Sequence, residues 1–588
     1  MVMKTYFKTL KRMFRKNFTK LLSILFILLI SIGLVFGVGS STSKVNQSVL
    51  EYYQDQNVSD LIIKSTKPTG FTEEEINIIK HMYNQVMLST SFDIEANNEV
   101  TRYYYYDLTG ININKLELLE GKMPSQNNEI LVERKTSKLK NHHVGDIIDY
   151  NGNEYTITGI VKNPLYFQNL EEPSYINDKD LNNIFYFNTD SYLPINEIYI
   201  SFDDKSKLNN MDDSYKDFVN QEVDKIEKEL NNITILSLYD NVSFFKLFTL
   251  TDKIRIISLI LLIGFICVSA LVVLSTMSRL VEEERSKIAC LKTLGYSNFI
   301  IIFKYLIFAF ISTVIGGLFA YFVGLFITDL IYYNFDAFFE MPVITKKISN
   351  FHYILTLLIL VLSTLIVTFN ASYQMVRKKP AEIFQTKSPV KGKKIILEKI
   401  PFIWKKLSFK YKSTFRNLFR YKKHFLMTVV SISGSTILVF LAIGLLSYSL
   451  IDELLGDALI FICTVVLLFA GLLTILVIYT LTNINISERY KEISTLMVLG
   501  YYDSEVTGYI YREIYLMCLI GIIIGLPLGH LCLNGVFELL EFGSMNDVGL
   551  YVYFITPLAV IIFTILITLI LRKKITNINI HESLKANE

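Results

Sequence analysis

The chain contains no Gly-x-x-x-x-Gly-Lys-Ser/Thr run, so a P-loop that binds and hydrolyses ATP is excluded. Cysteine is scarce. There are five in 588 residues and none between 41 and 252. Cys267, Cys463, Cys518 and Cys532 fall in apolar runs and Cys290 in a loop, with no CxxC pair. No disulfide framework is available, and segment 41–252 must fold on its own core. Histidine is equally sparse, with seven in all. His142 and His143 are adjacent, so in regular structure their rings point apart and do not make a metal site. No catalytic set and no metal site are expected, and no nucleic-acid partner.

What is abundant is apolar surface. The chain is 51% hydrophobic with a mean hydropathy of +0.37. That is high for a soluble protein of this length and indicates an integral membrane protein. A span needs about 20 apolar residues to cross a ~30 Å hydrocarbon core. Eight runs qualify: 21–38, 256–277, 305–328, 353–372, 425–448, 458–481, 515–534 and 551–571. The first has a longer apolar run and a longer charged lead than a cleaved signal peptide, and reads as an anchor.

Charge is unevenly spread. Segment 41–252 holds about 34 acidic and 19 basic groups, although the whole chain is only +3. Lys4, Lys8, Lys11, Arg12, Arg15, Lys16 and Lys20 precede the first span. Arg377, Lys378 and Lys379 follow the fourth; Arg416, Arg420, Lys422 and Lys423 precede the fifth; Arg572, Lys573 and Lys574 follow the eighth. With eight spans all of these share one side, which puts both termini in the cytoplasm and 41–252 outside. Asp452, Glu453 and Asp457 are then outside too.

The outer segment reads as α+β. Helices are expected over 71–86 and 213–231, and strands over 60–64, 129–132, 155–161 and 197–202. The tyrosines at 103–106 suit the two faces of a strand, or a binding surface. The acidic balance would attract cationic ligands by long-range steering.

The membrane part repeats. Leu291-Lys292-Thr293-Leu294-Gly295-Tyr296 returns as Leu496-Met497-Val498-Leu499-Gly500-Tyr501, a shift of 205. Gly316, Ala320 and Gly324 return as Gly521, Gly525 and Gly529, two small-xxx-small stripes that let helix backbones approach closely. Packing within one half and a mobile seam both fit them. Each half is one span, a gap, then three spans, so the halves are parallel repeats. The expected class is a polytopic α-helical membrane protein with eight spans in two parallel repeats of four and one extracytoplasmic α+β domain. The divisions are 1–40 (amphipathic helix and first span), 41–252 (outer domain), 253–385 (spans two to four), 386–424 (basic linker) and 425–588 (spans five to eight).

The repeated loops each read as a short amphipathic helix on the cytoplasmic side. Ile288, Leu291 and Leu294 share a stripe, as do Ile493, Leu496 and Leu499, and Gly295 and Gly500 sit at the stop. A helix resting on lipid would favour basic residues alone. These faces mix Glu with Lys and Arg, which suits a protein groove better.

Glu-Arg, polar residues, Ile, then Leu-x-x-Leu-Gly resembles the segment after the second span of FtsX/MacB-type ABC permeases. Lys379-Pro380-Ala381-Glu382-Ile383 resembles the segment after that family's fourth span, and Ile580-His581-Glu582-Ser583-Leu584 a degenerate second copy. Glu120-Gly121-Lys122-Met123-Pro124, Val144-Gly145-Asp146 and Ile157-Thr158-Gly159-Ile160 resemble its MacB-like outer domain. Arg416-Asn417-Leu418-Phe419-Arg420 resembles its pre-span helix.

The resemblance implies the permease subunit of an ABC transporter in the cell membrane, with residue usage like that of an AT-rich bacterium. In the family this loop touches a separate ATPase. The matching positions are Glu284, Arg285, Lys287, Ile288, Leu291, Leu294 and Gly295, then Glu488, Arg489, Lys491, Glu492, Ile493, Leu496 and Gly500. Two ATPase subunits would dock on one chain, carrying the ATP and Mg that this chain does not bind. Membrane lipids and a two-component sensor kinase complete the implied partners.

The family exports or extracts peptides, lipoproteins, lipids and drugs, and the acidic outer domain favours a cationic antimicrobial peptide. Some relatives transmit force or act as sensors without transport, which stays open here. An ion-driven transporter would need ionisable groups near mid-membrane. Lys304, Arg512 and Glu513 lie near span ends, and His530 is deepest. At a shift of 205 Glu283 pairs with Glu488, so the two Glu-Arg pairs are one residue out of register. Which residues of the first copy make the contact is therefore open.

Overall fold

The computed structural model describes residues 2–96, 98–108, 110–150, 152–166, 172–176, 179–188, 193–203, 213–339, 350–384, 398, 401–406, 408–420, 422–451, 456–541 and 543–576. Among them, eight helices are long and apolar enough to cross a membrane. They are Phe18–Asp55, Val242–Glu283, Asn298–Phe338, Phe351–Val376, Lys422–Ser449, Gly456–Glu488, Asp503–Leu540 and Val552–Thr576, called spans 1 to 8 below. The first seven contain their expected apolar runs, and the eighth starts one residue after the expected 551. Spans 1, 2 and 3 have 38, 42 and 41 residues, about twice the ~20 that a crossing requires. The segment Ile580–Leu584, Asp452 and Glu453, and residues 386–397 of the linker lie outside the described residues.

Two compact units partition the chain. One comprises Met1–Ser41, Ile254–Ile331 and Ser349–Glu588; the other comprises Thr42–Lys253 and Tyr332–Ile348.

The second unit carries the sheet. Its strands are β1 (Leu61–Ser65), β2 (Gln85–Ala96), β3 (Glu99–Tyr105), β4 (Glu117–Gly121), β5 (Glu129–Glu133), β6 (Ile147–Tyr150), β7 (Asn153–Lys162), β8 (Glu172–Pro173), β9 (Asp180–Phe187), β10 (Glu197–Ser201) and β11 (Ile233–Ser237). The order is β11-β1-β10-β2-β3-β9-β5-β7-β4, with β6 on β7 and β8 on β9. The long strand β2 is the hinge of this order, because Gln85 to Ser89 pair with β10 and Thr90 to Ala96 pair with β3. The helix expected over 71–86 stops at Met82. Thr72 and Glu75 form a capping box at its start. Val86 instead pairs with Ile200, so sheet pairing overrides the helical period there. The helix Asp213–Glu229 starts where expected and ends two residues before the expected 231. Tyr104 and Tyr106 enter one apolar cluster, while Tyr103 and Tyr105 pack on the opposite one with Phe187 and Tyr150. The tyrosine run is thus the two faces of one strand.

Within the membrane unit the two halves repeat their packing. A Cβ on Gly316 would lie 3.0 Å from the Leu25 carbonyl oxygen, and one on Gly324 would lie 2.2 Å from the Phe36 ring. In the second half, a Cβ on Gly521 would lie 2.7 Å from Ile432, one on Gly525 2.7 Å from Thr436, and one on Gly529 3.0 Å from Phe440. Ala320 is fully buried. The small-residue stripes therefore seat span 3 on span 1 and span 7 on span 5, each within its own half.

Phe36 and Phe440 occupy matching places, with Tyr353 and Tyr553 each 5.2 Å away. Thr313 bonds Thr364 and Cys518 contacts Thr564, both at 3.1 Å. Across the halves, Gly264 and Val268 of span 2 meet Leu438 and Gly434 of span 5. His530 bonds the Tyr553 hydroxyl, near the start of span 8, at 2.5 Å.

Candidate functional site

Span 2 ends at Glu283, and a new helix runs over Arg285–Thr293. Span 6 ends at Glu488, and its counterpart runs over Tyr490–Val498. The break residues are Glu284 and Arg489, both with ψ near zero (5° and 13°). The breaks are 205 residues apart, as are the helix ends. The ungapped register is therefore the structural one. The offset Glu-Arg pairs mean that one structural position holds Glu in the first copy and Arg in the second.

Both break residues turn inward. Glu284 is 3% exposed and Arg489 7%. The Lys304 ammonium of span 3 donates to Glu284 Oε2 at 2.9 Å. Lys287, one turn on, pairs with the other oxygen. Burial opposes ionisation of Glu284, but these ammonium groups outweigh it and hold the carboxyl below its usual range. In the second copy Arg489 Nη1 donates to Glu513 Oε1 at 2.6 Å, and Nη2 contacts Oε2. Glu513 belongs to span 7 and is fully buried. Both copies thus tie the start of the loop helix to the third span of their half through a buried ion pair, with the polarity inverted. Glu513 matches Phe308, one turn beyond Lys304. Tyr509, the match of Lys304, takes a hydrogen bond from Asn417 instead.

The far ends are also alike. Gly295 (φ +84°) and Gly500 (φ +89°) adopt the left-handed conformation, with nothing within 4 Å of an added Cβ. The Tyr296 amide donates to Leu291 O and the Gly295 amide to Lys292 O; Tyr501 donates to Leu496 O and Gly500 to Met497 O. These are paired Schellman stops. Each leaves one leucine at the tip, Leu294 at 71% exposure and Leu499 at 69%. Phe299, Val498 and Tyr502 are exposed beside them. Ile288 and Ile493 are buried, Leu291 and Leu496 half-buried. The expected stripe is therefore graded: its start packs inward and its end points out.

The first loop helix has an added brace. Lys292 donates to the Val376 and Lys378 carbonyls, both at 2.7 Å, capping the end of span 4. Ile383, on the short helix Pro380–Phe384, joins the cluster of Ile288 and Ala289. Met497 stands where Lys292 does and makes no such cap.

Of the positions singled out in the sequence, Lys287 is exposed and Arg285 and Glu492 are half-buried. The side chains of Glu488 and Lys491 lie outside the described residues. Lys304, Glu513 and Lys292 were missed as site residues. An isolated charge in an apolar helix is the signal that marks the first two, since such a group needs a partner. No group of three or more metal-ligating side chains occurs among the described residues.

The model of the FtsX-like permease C-terminal family matches residues 259–380 and again 464–580. No curated protein matches the chain. Each match begins within the second span of its half and takes in the loop helix and the two spans that follow. Each half of the chain thus carries a segment that matches the FtsX-like permease C-terminal family, so that this part of the permease core occurs twice in one polypeptide.

Proposed function

We propose that this chain is the permease subunit of an ABC transporter in which one polypeptide docks both subunits of an ATPase dimer. The family is a membrane component of ABC systems with the ATPase on a separate subunit. The observation that carries the reading is the duplicated loop helix. Both copies have a break tied to the third span, a Schellman stop and one exposed leucine at the same register. A rigid helix with an apolar tip is the form that enters a groove on a partner. Docking energy concentrates in a few buried apolar anchors, so Leu294 and Leu499 are assigned as the knobs, with Lys287 and Arg285 at the rim. Glu284 and Arg489 are assigned a different role. Their ion pairs carry motion of the loop helix into spans 3 and 7.

ATP-driven closure of the ATPase pair would move the two loop helices together and shift the spans behind them. The long spans 1 and 2, which flank segment 41–252 in the chain, would deliver that motion to the MacB-like outer domain. The substrate class proposed is a cationic antimicrobial peptide, on the excess of about 15 acidic groups in 41–252. The membrane is that of a bacterial cell, with both termini inside by the basic residues beside the spans.

The test is co-purification with ABC ATPases of the same cell, followed by transport in vesicles. ATP-dependent movement of a cationic peptide, lost in Leu294→Ser/Leu499→Ser, is the expected result. A chain that never retains an ATPase under any nucleotide overturns the proposal. ATPase retention without movement of any peptide, lipoprotein or lipid leaves force transmission as the function.

A further inference from the structure

A cavity of about 60 Å³ lies between the two halves, at the end of the membrane unit that carries both loop helices. It is lined by Thr19, Lys20 and Ser23 of span 1, Thr276, Arg279 and Glu283 of span 2, Thr480, Asn483, Ile484 and Ser487 of span 6, and Lys574 of span 8. Three of these side chains are cationic and one is anionic. Glu283 engages Lys20 and also accepts from Arg279 Nε at 2.8 Å. Lys574 donates to a neutral amide oxygen, that of Asn483. Thr480 is 97% buried, and its hydroxyl has no hydrogen-bond partner among the described residues. A buried hydroxyl without a partner is costly, and a ligand with acceptor oxygens would satisfy it. The Ser23, Thr276 and Ser487 hydroxyls already donate to backbone carbonyls, so the ammonium and guanidinium groups and the Thr480 hydroxyl are the donors, and with net positive charge and space for a few non-hydrogen atoms they describe a receptor for a phosphate group.

The surroundings say which phosphate. On span 1, Thr19, Ser23 and Phe26 share one helical face, and Phe26 is exposed. On span 8, Ile570 and Lys574 are one turn apart, and Ile570 is 64% exposed. Span 1 thus shows an uncovered apolar side chain one turn beyond Ser23, and span 8 one turn beyond Lys574, each deeper in the membrane. Acyl chains would lie there, while a free phosphate would have no use for them. Basic cavities between spans near the membrane surface are the usual setting for anionic headgroups.

We propose that this cavity binds the phosphate of an anionic phospholipid and that the bound headgroup staples the two halves together directly behind the loop helices. Glu283 competes with the headgroup for Lys20 and Arg279, which keeps binding reversible. The Lys574 ammonium also lies 5.9 Å from the ring of Tyr490 at the start of the second loop helix, so occupancy is felt where that helix begins. The site is independent of whether an ATPase docks.

The test is native mass spectrometry of the purified full chain titrated separately with phosphatidylglycerol, phosphatidylcholine and inorganic phosphate. Phosphatidylglycerol is expected to bind in preference to the other two. Lys20→Gln/Lys574→Gln should weaken it roughly 30-fold, at about one order of ten per 1.4 kcal/mol and about 1 kcal/mol per lysine. The exposed neighbour variant Lys573→Gln should leave it unchanged. Glu283→Gln should tighten it, an opposite sign that a folding defect in the double variant does not imitate. Equal binding of phosphatidylglycerol and phosphatidylcholine overturns the proposal, as does an unchanged double variant. Inorganic phosphate binding as tightly as the lipid overturns the lipid as its source.

Discussion

Replacing Arg489 with methionine removes the cation of a pair whose carboxylate, Glu513, is fully buried. The two charges make one hydrogen bond of 2.6 Å and a second close contact. A buried pair contributes little net stability against an apolar replacement, but an orphaned buried charge is expensive, about 3–5 kcal/mol. Arg489→Met should therefore lower the folded-to-unfolded ratio by roughly 10²- to 10⁴-fold. Arg489→Met/Glu513→Leu should recover nearly all of that, because no charge is left unpaired. Arg489→Glu/Glu513→Lys, which gives the second copy the polarity of the first, should recover most of it. Cys463 and Cys518 are buried, so a thiol-reactive dye reads the unfolding of this half in a denaturant titration. A single variant within about 1 kcal/mol of the parent, or a double variant no better than the single, refutes the assignment of the pair as the anchor of the loop helix.

Further predictions follow from the same geometry. Leu294→Ser/Leu499→Ser removes only exposed apolar surface, so stability should move by less than about 0.5 kcal/mol while ATPase affinity falls at least roughly tenfold; pull-down against thermal unfolding separates the two. Gly525→Leu places a Cβ 2.7 Å from Thr436 and should destabilise by about 1–3 kcal/mol through overpacking. Gly508→Ala in the same helix meets open space and should be neutral or slightly stabilising in the same melt. Gly500→Ala forces a side chain into φ +89° at a cost of about 1–2 kcal/mol, read as fraying of the loop helix by hydrogen exchange at the Gly500 and Tyr501 amides.

The spans were legible because each is an uninterrupted apolar run, and every one became a helix. The helix stops at Gly295 and Gly500 were legible because only a left-handed residue ends a helix that way. The stripe from Gly316 to Gly324 was visible, but its partner was not. Nothing in spacing alone says that Leu25 and Phe36, almost 300 residues earlier, fill those notches. The anchoring ion pairs were hidden for a sharper reason. Glu284 and Arg489 align with each other, yet carry opposite charge, and their partners Lys304 and Glu513 sit one helical turn apart in register. A comparison of the two copies by residue type loses the pair on both sides, and only the side-chain geometry restores it. Val86 was assigned to a helix on its period, and the strand partner Ile200 that reclaims it is likewise distant in sequence.

The central claim is that one chain presents two equivalent sockets. The measurement closest to it is the mass of the complex formed by the purified chain with its ATPase in the presence of a non-hydrolysable ATP analogue. One permease chain with two ATPase subunits is the predicted stoichiometry, falling to one ATPase when either Leu294 or Leu499 alone is changed to serine. Two permease chains per ATPase pair, or a mass indifferent to both leucines, contradicts the account.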